Sequence, residues 1–314
     1  IKTGDGSLVL DTISFSQRKK ENIAIIGETG SGKSTLLKII AGLVQPDGGT
    51  VVFENGAVTG PSNTLVPGHP GICYLSQDFE LPHALTVEQF LRYANKLSND
   101  EAELIYRVCL IDHLLKRKSH QLSGGERQRI ALARLLTSSP RLLLLDEAFS
   151  NLDRAHKITM KKILEEIGLK LSISFILISH DPEDILSWAH KVIVLKDGLI
   201  VQKGSPEKIY SQPRNEYVAG LLGTVNITDP RQEPISRILS STRGKRKMFI
   251  RGEHFQLGSK RKHAIPGKVL QVRFFGSYYE IEINCAGTIL IARAQTCTVT
   301  AGASVYVSIR EQIL

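Results

Sequence analysis

The sequence is short of aromatic residues and of cysteine, and it has no long apolar run. Phe, Trp and Tyr make up 6% of its 314 residues, with a single Trp. Four cysteines, at 73, 109, 285 and 297, lack the close pairing of a metal-binding set. So few in a chain of this length exclude a disulfide-stapled secreted scaffold and point to a reducing compartment. The longest apolar stretches, such as LLLLDEAF, fall well short of the roughly 20 residues that span a bilayer. The chain is therefore not expected to cross a membrane itself, though docking on one stays open. Its first residues, IKTGDGSLVL, have neither a charged n-region nor an apolar h-region. The missing Met predicts a trimmed or partly observed start. Tandem repeats and low-complexity tracts are lacking too.

What is present suits two domains, with 42% hydrophobic residues to fill their cores. The formal net charge is +9, much of it concentrated in residues 241–264. Such a charge permits nucleic acid or anionic lipid as partners without requiring either. The aromatic interleaving of a nucleic-acid platform is thin there (Phe249, His254, Phe255), so nucleic acid is not expected. The stretch reads first as a solvated face and linker; contact with anionic lipid, phosphate or an oxyanion regulator stays open.

Residues 8–26 read as strands. VVFENGAVT (51–59) reads as two short strands around Asn55-Gly56, and VIVLKDGLIVQKG (192–204) as a hairpin turned at Asp197-Gly198. GICYLSQ (71–77) is a short apolar strand ending in polar residues. Thr86 with Gln89 predicts a capping box, and ERQRIALARLL (126–136) has helical composition. RLLLLD (141–146) and SFILIS (174–179) are continuous apolar runs, as expected for strands covered on both faces. This alternation predicts an α/β core over roughly the first 205 residues. Residues 206–222 read as helical, and the polar TDPRQEPISR (228–237) as linker. Beyond about 248 the period becomes two: Tyr279, Ile281, Ile283 and Cys285 share one face, as do Val305, Val307 and Ile309. That predicts a small, mostly antiparallel β-domain, conceivably a barrel.

The chemistry gathers at GETGSGKST (27–35). Gly27, Gly30, Gly32, Lys33 and Ser34 match G-x-x-x-x-G-K-[ST] between a strand and a helix. Glycines let the backbone wrap a phosphate with its N–H groups, and the helix N-terminus adds a favourable field. Lys33 is expected on the β- and γ-phosphates, Ser34 on Mg²⁺, with Thr35 behind it. Asp146 ends a strand, where α/β folds bind ligands, and is expected on the metal through water. Glu147 can hold the attacking water and take its proton; a solvated strand edge is the plainer reading of these two acids. The phosphate loop alone leaves kinases, GTPases, helicases and motor ATPases open.

LSGGERQR (122–129) narrows the choice. With YLSQD (74–78), LLLLDEAFSNLD (142–153) and ISHD (178–181), in that order, the chain resembles the ATP-binding subunits of ABC transporters over at least 1–222. The resemblance implies a RecA-like P-loop core with a β-subdomain and a helical signature subdomain, and ATP with Mg²⁺ as ligands. It implies nucleotide contacts from the Walker A residues Gly27, Glu28, Thr29, Gly30, Ser31, Gly32, Lys33, Ser34 and Thr35. It also implies catalytic roles for Glu147, His180 and Gln77, and metal contacts from Ser34, Gln77 and Asp146. Ser123, Gly124 and Gly125 would reach the nucleotide held by a second copy, with Asp153 setting the dimer contact. Read alone, Ser123 is a helix cap, Gln77 a surface residue after a strand, and His180 equally an interior histidine. There are departures from the pattern: Glu126 for Gln, Ala148 for the importer Pro, KKEN (19–22) for Gly-Glu, and no adenine-stacking aromatic in 1–8.

The tail favours an importer. IYSQPRNEYVAGLLGTVN (209–226), MFIRGEHFQL (248–257) and GKVLQVRFFGSYYEIEI (267–283) resemble the end of the nucleotide domain and the TOBE-type, oligonucleotide-binding-like barrel of uptake subunits, with Gly252 replacing a proline. The expected domains are an ATP-binding domain (1–222), a linker (223–247) and a TOBE-like domain (248–314). The implied protein is a homodimeric ATPase at the cytoplasmic face of the membrane. It would bind a permease and work indirectly with an extracytoplasmic solute-binding protein for iron, polyamine, sulfate or sugar. An exporter subunit and a soluble mechanical ATPase of the same superfamily are the alternatives. A generic packing or dimerisation module is the alternative for the tail.

Overall fold

The computed structural model describes residues 8–76, 81–150, 152–229, 231, 233–238, 247–261 and 263–310. They fall into two compact units that divide between Pro206 and Glu207. Among them no helix is long and apolar enough to cross a membrane.

The first unit is built on a six-stranded sheet in the order Ile72–Leu75, Leu142–Asp146, Ser174–Ile178, Asn22–Ile26, Lys191–Lys196, Leu199–Gly204. Its first five strands are parallel, and the last returns antiparallel from a hairpin. Asp197 (φ 48°) and Gly198 (φ 75°) turn that hairpin, both left-handed as a tight two-residue turn requires. The apolar runs are buried on both faces. Leu142, Leu144, Ile176 and Ile178 pack with Leu36, Leu37 and Ile40 of helix Lys33–Ile40. Leu143, Leu145, Phe175 and Leu177 pack with helices Gly124–Leu136 and Arg154–Leu171. Each such side chain contributes about 1.5–3 kcal/mol of burial.

Two expectations for the first unit need correction. Residues 8–21 do not form a regular strand; the first begins at Asn22. Lys203 and Lys191 ammonium groups donate to the carbonyls of Ser14 and Ser16, where a ladder would need N–H donors. The hairpin at 52–57 turns on Glu54 (φ 55°) and Asn55, not on Asn55-Gly56, and Gly56 pairs with Phe53. The capping box at Thr86 and Gln89 forms, starting helix Val87–Arg92.

The second unit is mainly β. Five antiparallel strands lie in the order Phe255–Gly258, Ser304–Ile309, Ile265–Phe274, Tyr279–Cys285, Thr288–Ala294. Ile281, Ile283, Cys285, Val305 and Val307 face its core. The stretch read as linker contains strand Val225–Thr228, paired with Met248–Arg251. The buried Asn226 side chain joins this pair to the larger sheet: its amide donates to the carbonyls of Ile250 (3.2 Å) and Ile291 (2.8 Å) and accepts from the Ile291 N–H (2.7 Å). Helix Pro206–Ser211 from Glu207 on, and helix Glu216–Leu221, go with this second unit, whereas the pattern assigns them to the first. Arg251, 2% exposed, accounts for part of that. Its guanidinium lies 4.3 Å from the Tyr210 ring centroid and donates to the carbonyls of Gly223 and Tyr210. Tyr210 Oη in turn donates to Glu253 at 2.6 Å. Glu280 keeps the alternation but is buried despite its place among the polar positions, paired with Arg293 at 2.8 Å.

Candidate functional site

Strand Asn22–Ile26 delivers the chain to Gly27 at the C-terminal edge of the parallel strands, where open α/β sheets bind ligands. A Cβ on Gly27 would fall 2.2 Å from the carbonyl oxygen of Leu195 on the neighbouring strand. Gly32, at φ 94°, opens helix Lys33–Ile40 with no side-chain cap. The first N–H groups of that helix are thus left for an anion. Lys33 is buried, and its Nζ donates to the carbonyls of Gly27 (2.8 Å) and Glu28 (2.7 Å). Burial pushes its pKa down, while Glu147, Asp146 and Glu28 pull it up. Among the described residues Ser31 Oγ is buried without a partner, a polar atom that a phosphate oxygen would satisfy. Glu28, Thr29 and Gly30 are exposed, and Thr35 is half-buried.

Asp146 ends strand Leu142–Asp146, separated from strand Asn22–Ile26 by Ser174–Ile178, and is 5% exposed. Ser34 Oγ donates to its Oδ1 at 3.1 Å and Tyr74 Oη to its Oδ2 at 2.7 Å. The Tyr74 phenol is driven well above its ordinary pKa, by desolvation first and then by Asp146. A hydroxyl facing a buried carboxylate is a hard oxygen donor pair. Mg²⁺ takes such a pair and leaves its other positions to phosphate and water, so these residues fit the ion.

Glu147 follows in a left-handed conformation, φ 51°, its N–H donating to the Ile178 carbonyl at 3.1 Å. Such a backbone is strained for a glutamate and persists only where its surroundings hold it. Here Ser150 N–H and Oγ both donate to the Glu147 carbonyl, at 3.1 and 2.8 Å. Glu147 Oε1 then meets His180 Nε2 at 2.5 Å, across a gap of 33 residues in sequence. The pair opens on a cavity of about 280 Å³, also lined by Ser150, Ser179 and Asp181. Gln77 lies outside the described residues.

The His180 loop is held from behind. Asp184, 2% exposed, accepts from Lys161 Nζ (2.8 Å) and Ser179 Oγ (3.1 Å), and Lys157 Nζ bonds Asp181 at 2.7 Å. Burial depresses the Lys157 pKa, but its carboxylate partners outweigh that and raise it. Lys157 and Lys161 sit one turn apart on the helix that begins at Asp153. Their i, i+4 spacing against Asp181 and Asp184 was the available sequence signal for this clamp.

Ser123, Gly124, Gly125 and Asp153 form a second neighbourhood. Ser123 Oγ accepts from the Glu126 N–H (3.2 Å) and Glu126 Oε2 from the Ser123 N–H (2.7 Å), a full capping box. The helix-start amides of Gly124 and Gly125 have no intrahelical acceptor. Gly125 is buried against His156: a Cβ would fall 2.6 Å from its Cδ2. Asp153 fixes that ring through its Nδ1 at 2.8 Å. The two neighbourhoods are linked by Gln128, whose side-chain amide donates to the Ala148 carbonyl beside Glu147.

A family model described as ABC transporter matches residues 10–150, and one described as TOBE domain matches 248–313. The Fe(3+) ions import ATP-binding protein FbpC of Mesorhizobium japonicum is 37% identical over 285 residues, covering 83% of this chain and 78% of that protein. The chain belongs to the ATP-binding subunits of ABC transporters, importer type, with a TOBE domain. The Spermidine/putrescine import ATP-binding protein PotA of Photobacterium profundum is 36% identical over 236 residues, or 73% of this ABC subunit and 62% of that relative. The structure of cbiO1 from Clostridium perfringens, titled part of the ABC transporter complex cbiONQ, superposes with a TM-score of 0.60 at 27% identity, over 68% of this chain and 88% of that one. The ADP conformation of MJ1267, an ATP-binding cassette of an ABC transporter, gives 0.57 at 26% identity, over 68% and 92%. Within the ABC pattern, the Glu126 departure is accounted for: a carboxylate fills the third helical position of the capping box.

Proposed function

We propose that this chain hydrolyses ATP to power uptake of a solute through a binding-protein-dependent importer. The observation that supports it most is the convergence of Lys33, Ser34, Asp146, Glu147 and His180 on one sheet edge, with Glu147 bonded to His180. In this reading Lys33 gives up the Gly27 and Glu28 carbonyls for the β- and γ-phosphates, and Ser31 Oγ finds its acceptor there. Ser34 and Asp146, with Gln77, would hold Mg²⁺, which when bound would neutralise charge on the phosphate oxygens. Glu147 takes the proton of the attacking water, and His180 keeps that carboxylate aimed. Ser123, Gly124 and Gly125 of a second copy close over the γ-phosphate, with Asp153 at the contact. Two copies docked on a permease at the cytoplasmic face of the membrane would convert that closure into alternating access. The relatives are named for spermidine/putrescine and for Fe(3+) import, and we take a small cationic solute of that kind as the cargo.

The test is steady-state ATP hydrolysis by the full chain with Glu147→Gln. Turnover falls by about 10²-fold or more while ATP binding persists. Turnover at the wild-type rate would remove Glu147 from this role.

A further inference from the structure

Tyr74 neither contacts nucleotide nor moves a proton in the proposed function, yet its hydroxyl touches the carboxylate assigned to the metal. It is the third residue of strand Ile72–Leu75 and pairs in register with Leu144. Paired residues of parallel strands project to the same face, and Asp146, two positions beyond Leu144, shares that face. The long phenol therefore runs forward along the sheet, its ring packed with the apolar cluster around Leu144 and Ile178. It ends 2.7 Å from Asp146 Oδ2. Ser34 Oγ occupies the other side, 3.1 Å from Oδ1. Each oxygen of this nearly buried carboxylate thus has its own hydroxyl donor. One donor belongs to the phosphate-loop helix and faces the ligand; the other comes from the neighbouring strand. An apolar residue at 74 would pack the same cluster and leave Oδ2 without its donor.

We propose that Tyr74 is a positioning residue for the metal site: its hydroxyl holds the Asp146 carboxylate turned so that Oδ1 faces Ser34 and the Mg²⁺ position. This rests on the nucleotide–metal reading above. Asp146 can rotate about its Cβ–Cγ bond, and a partly rotated carboxylate would turn its oxygen lone pairs away from a metal that demands near-ideal octahedral geometry. Residues that orient a metal ligand from behind typically change metal affinity by about 10–100-fold when removed. The assignment therefore predicts an effect on the metal and not on the nucleotide alone.

The probe is Mn²⁺, followed by electron paramagnetic resonance in the full chain saturated with ADP. Tyr74→Phe keeps the ring and removes the hydroxyl. It is expected to weaken ADP-dependent Mn²⁺ binding by about 10-fold or more. ADP affinity in EDTA stays within about two-fold of wild type, and on an Asp146→Asn background Tyr74→Phe changes Mn²⁺ binding by less than about two-fold, because both act through one carboxylate. Mn²⁺ binding by Tyr74→Phe within about two-fold of wild type would overturn the inference. So would an equal loss of ADP affinity in EDTA, which would mark a general disturbance of the loop. If the wild-type chain shows no ADP-dependent Mn²⁺ binding at all, the nucleotide–metal reading itself falls, and the inference with it.

Discussion

At the scale of the residue, the carbonyl oxygen of Leu195 decides what position 27 can be. With only 2.2 Å available to a Cβ, Gly27→Ala must push the phosphate loop or the strand away. Overpacking of this kind costs about 1–3 kcal/mol. Urea unfolding is expected to show that loss as a lower midpoint at an unchanged slope; an unaltered midpoint would mean the loop yields without cost. Gly27 and Lys33 were legible because their chemistry is local: a strand, a turn and a helix within a few residues. Asp146 and Glu147 were legible because a run of four leucines ending in two acids has few other readings in an α/β sheet. Tyr74 was not, since its partner lies 72 residues away and nothing in GICYLSQ distinguishes a phenol that bonds from one that only packs. The Lys157, Lys161, Asp184 clamp was half legible. Its spacing shows in the sequence, but that it braces His180 depends on a loop and a helix meeting in space.

At the scale of the element, the signature helix shows how a departure from the family pattern is absorbed. Glu126 is held below the ordinary carboxylate pKa, first by the Ser123 N–H, with Ser123 Oγ, Arg117 and Arg129 adding to it. A carboxyl whose pKa is lower folded than unfolded stabilises the fold above its unfolded value and loses that contribution as pH falls through the folded one. Glu126→Gln, which restores the commoner residue and can still cap, therefore destabilises by roughly 0.5–1 kcal/mol near neutral pH. The wild-type advantage starts to fall below the ordinary carboxylate value of 4.5, where the unfolded chain takes up the proton, and is gone once pH has dropped through the lower folded value, where Glu126 is neutral too. Unfolding free energies of the two proteins from pH 7 down to pH 3 check this; a difference that persists in acid would assign it to packing instead. The strands of the parallel sheet and the capping box at Thr86 were readable from apolar period and cap spacing, whereas strand Val225–Thr228 lies in a stretch that reads as linker. Residues 8–21 misled because Ile13 and Phe15 alternate with polar residues as in a strand, whereas the carbonyls of Ser14 and Ser16 beside them accept from the Lys203 and Lys191 side chains.

At the scale of the molecule, composition shift and period correctly announced two units of different character, an α/β unit and a β unit. Where one passes into the other was not written in the pattern. Helical periodicity in 206–222 looks the same whichever core it packs on, and only Arg251, Tyr210 and Glu253 reveal the partner. Asn226 likewise looks like one more polar residue until its three hydrogen bonds across two sheets are seen. The two site neighbourhoods carry the functional argument at this scale. One holds a glycine-rich loop, the buried Asp146 carboxylate and a Glu–His pair; the other presents the first amides of a glycine-started helix, and in the proposed function each completes the other. The central claim is that ATP brings two copies together so that Ser123–Gly125 of one close over the phosphates of the other. The most direct test is sedimentation of the full-length Glu147→Gln variant with Mg-ATP. The account predicts twice the single-chain mass of 34.7 kDa, lost on adding Ser123→Arg. A chain that binds ATP yet sediments at the single-chain mass would contradict it.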